Sequence, residues 1–339
     1  MSHRPHPPPG RRPAGAEKKD ATLVPDLLIL VEDVTGGDPQ SGTKFVRRSL
    51  ETLSRELQDL DHSVCAATVA KLLREEDFSL RVNVKRFTGP PHADRDRQFC
   101  YLQGQLERCR DHGWPVISVD AKKSELIGNF KNAGALWCWQ AAEVNCHDFL
   151  TDAVGRAVPY GVYDVLAHRG FVQVGLSANT PAFAVAAVRA WWVQLGCKRY
   201  SRHGRLLILA DAGGSNGYRP RLWKKRLQEE LADRYGLQVT VCHYPTGASK
   251  WNPIEHRLFG PMSINWAGEP LRSLERLLAF VRGTTTRSGL VVTAEVDKQR
   301  YATGVRVSDA EMKELKIRPH DICPQWNYTI SPRLSYQWN

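Results

Sequence analysis

The chain has no Cys-x-x-Cys pair, no Cys/His finger spacing, no Gly-Lys-Ser/Thr phosphate loop and no long apolar run. Its eight cysteines (65, 100, 109, 138, 146, 197, 242, 323) are scattered singly. That pattern argues against a disulfide framework or zinc site and for reduced, mostly buried thiols. Nothing approaches the roughly 18 consecutive apolar residues of a membrane-spanning helix. The N-terminus is rich in Pro, Arg and His (Arg4, Pro7, Pro8, Pro9, Arg11, Arg12), and the apolar stretch after it, 23–34, is broken by Pro25, Asp26 and Glu32. This is no secretory signal. Gly213, Gly214 and Gly217 are followed by no Lys-Ser/Thr, which argues against a P-loop kinase or ATPase, and the glycines read as a turn. The chain reads as cytoplasmic, associated with the nucleoid.

What is present is length and positive charge. The 339 residues carry a net charge of +11, with a pI near 9.3. The length suffices for two domains, and the charge favours polyanionic partners without specifying a fold. Residues 1–40 read as a disordered basic arm and linker, with a turn cluster at Thr35-Gly36-Gly37-Asp38-Pro39. Residues 41–90 read as a helix-turn-helix-like domain. Leu50, Leu53, Leu57 and Leu60 recur at helical steps, and Asp61-His62 breaks the pattern. A second helix, capped by Ser63, turns Val64, Ala67, Val69, Leu72 and Leu73 inward. Its outer face (Thr68, Lys71, Arg74) is a candidate for a DNA major groove, with Arg81, Lys85 and Arg86 on phosphates; the plainer reading is a small helical cap with solvated charges. Residues 91–113 read as a connector helix.

From residue 114 to 300 the pattern alternates. Strands are expected at 115–120, 158–166, 170–176, 205–210 and 237–243, with breaks at or near Tyr160-Gly161 and Arg169-Gly170. Helices are expected from Thr180 to Gly196, from Arg219 to Tyr235, from Pro253, and from Leu271 to Arg282. Three strands followed by alternating helices and strands make an α/β fold, an RNase H-like mixed sheet flanked by helices. Residues 131–150, with Trp137 and Trp139, read as an insertion between the first two strands. Residues 301–339 form a tail without clear periodicity.

Two of the strands end in acids, Asp120 and Asp211, and Glu255 lies on the helix after Pro253. Phosphodiester cleavage needs a deprotonated water or 3′-hydroxyl and charge relief at phosphorus, which two Mg²⁺ ions about 3.5–4 Å apart supply. Mg²⁺ takes hard oxygen ligands and keeps several waters, so three carboxylates suffice. In this reading Asp120 bridges both ions, Asp211 takes one and Glu255 the other, with Mn²⁺ as a substitute metal. The plainer alternatives are strand-end acids and, for Glu255, the capping-box partner of an Asn252 cap. Asp164, Glu143 and Asp148 read as strand-end or loop acids. Lys122, Lys123, Lys131 and Lys250 are candidates for the DNA backbone. Trp251 could stack on a flipped base, and His256 could meet the scissile phosphate or merely pack. Arg219, Arg221, Lys224, Lys225 and Arg226 line a helix as either phosphate contacts or a solvated face. Trp191 and Trp192 read as core.

Five segments carry a resemblance: Pro115-Val-Ile-Ser-Val-Asp120-Ala-Lys-Lys-Ser-Glu-Leu-Ile-Gly-Asn-Phe-Lys131, Pro159-Tyr-Gly-Val-Tyr-Asp164, Ala210-Asp-Ala-Gly-Gly-Ser-Asn-Gly-Tyr-Arg219, Ser249-Lys-Trp-Asn-Pro-Ile-Glu-His-Arg-Leu-Phe259 and Gln325-Trp-Asn-Tyr-Thr-Ile330. Over about residues 50–331 the chain resembles the bacterial insertion-sequence DDE transposases of the Rhodopirellula type, and Asn252-Pro-Ile-Glu255 is similar to mariner-like transposases. The resemblance implies Asp120, Asp211 and Glu255 as the catalytic triad, Mg²⁺ dependence, and recognition of the element's terminal inverted repeats and target DNA by a transient homo-oligomer. Such proteins usually carry a further DNA-binding helical region upstream, where this chain has its Pro/Arg arm, so it reads as short at that end. Near Leu136-Trp-Cys-Trp-Gln140 the chain is also shorter and richer in Trp than the family pattern. Two other readings remain open: a non-catalytic remnant that only binds element DNA, and an RNase H-like nuclease without strand transfer.

Overall fold

A helix begins at Leu23, inside the stretch the sequence assigns to a linker. The computed structural model describes residues 20–32, 35–37, 44–46, 49–76, 78, 92–136, 138–201 and 203–333. Contacts divide the chain into two units, Met1–Arg86 and Phe87–Asn339.

In the first unit, α1 (Leu23–Glu32) tolerates Pro25 because the first-turn N–H groups have no partner inside a helix anyway. The backbone of β1 (Thr35–Gly37), expected as part of a turn, pairs antiparallel with β2 (Lys44–Val46). Helix α2 (Leu50–Asp59) is capped by Ser49, whose hydroxyl accepts from the Thr52 N–H at 3.1 Å. It stops where Asp61 adopts φ +67°. Helix α3 (Ala66–Glu75) starts from Cys65, not from a Ser63 cap, and Ala67 lies on the outer face. Leu23, Leu27 and Val31 of α1 share one core with Leu53, Leu57, Val64, Val69 and Leu72. The predicted linker becomes a helix because its apolar residues at four-residue spacing have this surface to cover. Arg81, Lys85, Arg86 and residues 1–19 lie outside the described residues.

In the second unit, α4 (Arg95–Asp111) is more than a connector. Its Leu102 and Cys109 are buried with Val116, Leu207, Leu209 and Cys242 of the sheet. The strands are β3 (Val116–Ala121), β4 (Glu125–Ile127), β5 (Gly155–Asp164) and β6 (Arg169–Gly175). Helix α5 (Pro181–Trp191) continues through a π-helical turn into α6 (Cys197–Arg199), and β7 (Arg205–Ala210) follows. Next, α7 (Arg221–Leu227) continues through another π-helical turn into α8 (Asp233–Tyr235), stopped by Gly236 in the left-handed region. After β8 (Gln238–His243), a π-helical turn over Glu255–Phe259 leads into α9 (Gly260–Asn265), and α10 (Leu274–Arg282) follows. The chain then adds β9 (Val291–Asp297), α11 (Asp309–Lys313), β10 (Ile317–Pro319) and β11 (Asn327–Ile330).

The sheet order is β10-β11-β8-β7-β3-β5-β6-β9, with β4 on β5. Strands β3, β7 and β8 run parallel, and β5 is antiparallel to both β3 and β6. The order β6-β5-β3-β7-β8 with one reversed strand is the RNase H-like arrangement. Alternation along β3 sends Ile117 and Val119 into the core under α5 and α7. Val116, Ser118 and Asp120 therefore face the layer of α4 and the Glu255 segment. The tail does not stand apart: β11 pairs with β8 and adds Tyr328 and Ile330 to the main core. Among the described residues no helix is long and apolar enough to cross a membrane.

Candidate active site

Asp120 ends the row of β3 that faces α4 and the Glu255 segment, and Asp211 follows the last residue of the parallel neighbour β7. Parallel pairing side by side brings both carboxylates to one edge of the sheet. Glu255 arrives from above on its π-helical turn. What lets that turn sit so low is Gly161, which pairs with Asp120 across the β3–β5 ladder. A Cβ at Gly161 would stand 2.7 Å from Phe259 and 2.8 Å from Ile254. Gly161 is thus a mid-strand residue that admits the helix, not the chain break its sequence context suggests.

The three acids sense one another. All are half-buried. Burial, then the Asp211 charge, then Glu255 push Asp120 up to about 8, against the pull of its hydrogen bond from the Ala121 N–H at 2.7 Å. Asp211 is raised as well, chiefly by burial and further by Glu255, while a hydrogen bond from Asn252 opposes the rise. No basic side chain is among the main influences on either aspartate. Among the described residues, no set of three or more His, Cys, Asp or Glu side chains closes around a single ion. The donor set, three carboxylates with no cation of the chain among the main influences on either aspartate, nonetheless fits hard divalent cations, which Asp120, Asp211 and Glu255 would hold.

Asn252 is not the helix cap its position suggests. Its amide donates to Asp211 Oδ1 at 2.9 Å, and its carbonyl accepts from the Ser118 hydroxyl. Ser118 Oγ in turn accepts from the Ile254 N–H at 3.1 Å, so a strand residue caps this turn and no Asn252–Glu255 box forms. Behind the site, buried His243 is held neutral, its pKa lowered to about 4 by burial, with Nδ1 2.9 Å from the Asp211 carbonyl. Sequence reasoning missed Ser118 and His243 and misread Asn252. For Ser118 and His243, polar character inside an apolar strand was the available signal.

The remaining candidates separate. Lys122 is engaged, 3.5 Å from Glu125 and over the Trp266 ring. Lys123, Lys131 and Lys250 are exposed. Trp251 is 55 % exposed and meets Phe99 of α4 edge-on. His256 hydrogen-bonds the Lys250 carbonyl. Thr68, Lys71 and Arg74 belong to the first unit, where Lys71 pairs with Glu75 at 3.2 Å. On the helix after Asp211, Arg221 pairs with Asp309, Lys225 with Glu311, and Arg226 with Glu229 and Glu230. Asp164 is structural: both its oxygens accept from Tyr200 at 3.0 Å. Trp191 and Trp192 are core, and Trp139 is fully exposed; Trp137 lies outside the described residues.

Fold and site together define a protein of the RNase H-like class with an acidic centre at the end of its parallel strands. Residues 26–332 match the family described as the Rhodopirellula transposase DDE domain, and the chain belongs to that family of transposases. The matching region starts upstream of the resemblance seen in the sequence and takes in most of α1. Among solved structures the chain is similar to the pre-cleavage Mos1 transpososome, at 14% identity over 83% of this chain and 73% of that one, with a TM-score of 0.41. It is also similar to the Mos1 strand transfer complex, at 14% identity over 83% and 72% of the two chains, with a TM-score of 0.42. Likeness of this degree assigns no residues. No curated protein matches the chain.

Proposed function

We propose that this transposase cleaves DNA at the terminal inverted repeats of its insertion sequence and joins the freed 3′ ends to target DNA, with Asp120, Asp211 and Glu255 holding two Mg²⁺ ions. The observation that carries the reading is electrostatic. Three carboxylates are gathered from two strands and a helix into one half-buried place, and the groups acting on the two aspartates include no cation of the chain. Such crowding is costly unless a ligand of opposite charge offsets it. Bound divalent ions supply the charge relief at phosphorus and the acidified water or 3′-hydroxyl that hydrolysis and transfer require. The chain's own residues position the acids: Asn252 fixes Asp211, and Gly161 admits Glu255.

Exposed Lys123, Lys131 and Lys250 are suited to backbone phosphates, Trp251 to stacking on a displaced base, and His256 borders the same edge. Helix α3, with Thr68, Lys71 and Arg74 outward, is the proposed reader of the element ends, and two ends call for a transient homo-oligomer. The test is Asp211→Asn on duplexes carrying the element ends, with Mg²⁺ or Mn²⁺. We expect nicking to vanish while DNA binding persists. Retained nicking by the variant, or wild-type protein that binds ends but never nicks them, overturns the assignment.

A further inference from the structure

A second concentration of charge lies at the opposite end of the face that carries the acids. Between the last turn of α4, the start of β7 and β10 is a cavity of about 370 Å³, lined by Arg108, Arg205 and Arg318. Arg205 opens β7 and Asp211 follows it, with Leu207 and Leu209 of the same face between them. At about 3.3 Å per residue, the two lie roughly 20 Å apart. Helix α4 runs over the same span: Phe99 near its start touches Trp251 at the acidic end, and Arg108 near its end enters the cavity.

The guanidiniums are organised. Those of Arg205 and Arg108 lie 4.3 and 5.6 Å from the Trp114 ring centroid, so one ring orients both. Among the described residues, none of the three arginines is in an ion pair with a carboxylate. Asp321 is the one acid in the cavity lining, so the wall carries an excess of positive charge. Planar forks arranged this way match phosphate oxygens. A free nucleotide would also want a ring for its base, but Trp114 is already occupied by Arg205 and by His112, stacked at 4.4 Å.

We infer that this cavity is a second DNA anchor, binding backbone phosphates at a distance of about six base steps of 3.4 Å from the scissile bond. The inference rests on the proposed DNA-cutting function. It makes the three arginines positioning groups that set the duplex against the acidic site without touching the reacting atoms.

The experiment is a salt titration of binding by the full 339-residue chain to a random-sequence duplex. Every phosphate that the protein ceases to neutralise lowers the slope of log K against log salt by about 0.9. We expect Arg318→Gln, an exposed change on a short strand, to lower it by about 0.9, and the triple Arg-to-Gln variant at 108, 205 and 318 by about 2.7. If wild-type protein binds DNA and Arg318→Gln leaves the slope unchanged, the anchor is overturned while the cleavage reading stands. The anchor is equally overturned if Arg318→Gln abolishes binding of a nucleoside triphosphate yet leaves the DNA slope intact. Wild-type protein that binds no DNA would instead remove the proposed function itself.

Discussion

Asn252 shows how much a single side chain's direction decides. Its place before Pro253 and three positions ahead of Glu255 has the grammar of a helix start. In the fold its amide turns to the sheet and ties Asp211 to Ser118. Groups that orient a metal ligand typically change affinity or activity by about 10–100-fold when removed. Asn252→Ala should therefore slow nicking by about that factor and raise the Mg²⁺ concentration needed, with the melting temperature little changed. A metal titration of nicking matching wild type at every concentration would refute the positioning role. The places of Asp120 and Asp211 at the ends of neighbouring strands were legible because each closes an apolar run that the sequence displays. Ser118, Asn252 and His243 were not, because their partners come from other strands and turns.

At the scale of elements, the strands predicted in the centre of the sheet lie within a few residues of their observed bounds, since burial on both faces leaves long apolar runs. Those at its margins, β4, β9, β10 and β11, escaped notice. Three or four residues, or a half-exposed edge such as β9, display too little periodicity to separate from loop. Helix α1 escaped for another reason: Pro25 and the acids interrupt its pattern, while tertiary contact holds it. Buried His62 ties it down, its two ring nitrogens 2.6 Å from Asp20 and 2.8 Å from Asp26. Hydrogen bonding to Asp20 and then Asp26 raises the His62 pKa, and hydrogen bonding to His62 lowers that of Asp20. The His62 contribution to stability is complete below its ordinary value of 6.5 and fades as pH climbs through the raised value. The Asp20 contribution is present above 3.8 and fades as pH drops through the lowered one. Hydrogen-exchange protection of the α2 amides should accordingly peak in mildly acidic solution and decline toward alkaline pH. His62→Gln should erase the alkaline decline, and an unaltered profile would count against the clasp.

At the scale of the whole molecule, the last strand braces the catalytic unit. Gln98 of α4 donates to Asn327 Oδ1 and to the His243 carbonyl, each at 2.8 Å, and accepts from Asn327 Nδ2 at 2.6 Å, all of it buried. Asn327→Leu leaves Gln98 with unmet polar groups, a cost of about 1–3 kcal/mol. In a unit of this size that corresponds to a melting temperature lower by about 2–12 °C. Tryptophan fluorescence reports on this unit alone, because every tryptophan lies beyond residue 113. A melting temperature equal to wild type would deny the brace. Here the sequence showed a motif, Gln325 to Ile330, without showing why it is there; the partners of Asn327 lie 85 positions earlier at Cys242 and 229 positions earlier at Gln98.

That distance has a consequence for biosynthesis. Strand β11 flanks β8, whose final residue, His243, backs Asp211. Asp120, Asp211 and Glu255 have all left the ribosome well before β11 is translated, and pairings this remote form late. A nascent chain therefore carries these three acids in a sheet that lacks its β11 brace until translation of this unit is nearly finished.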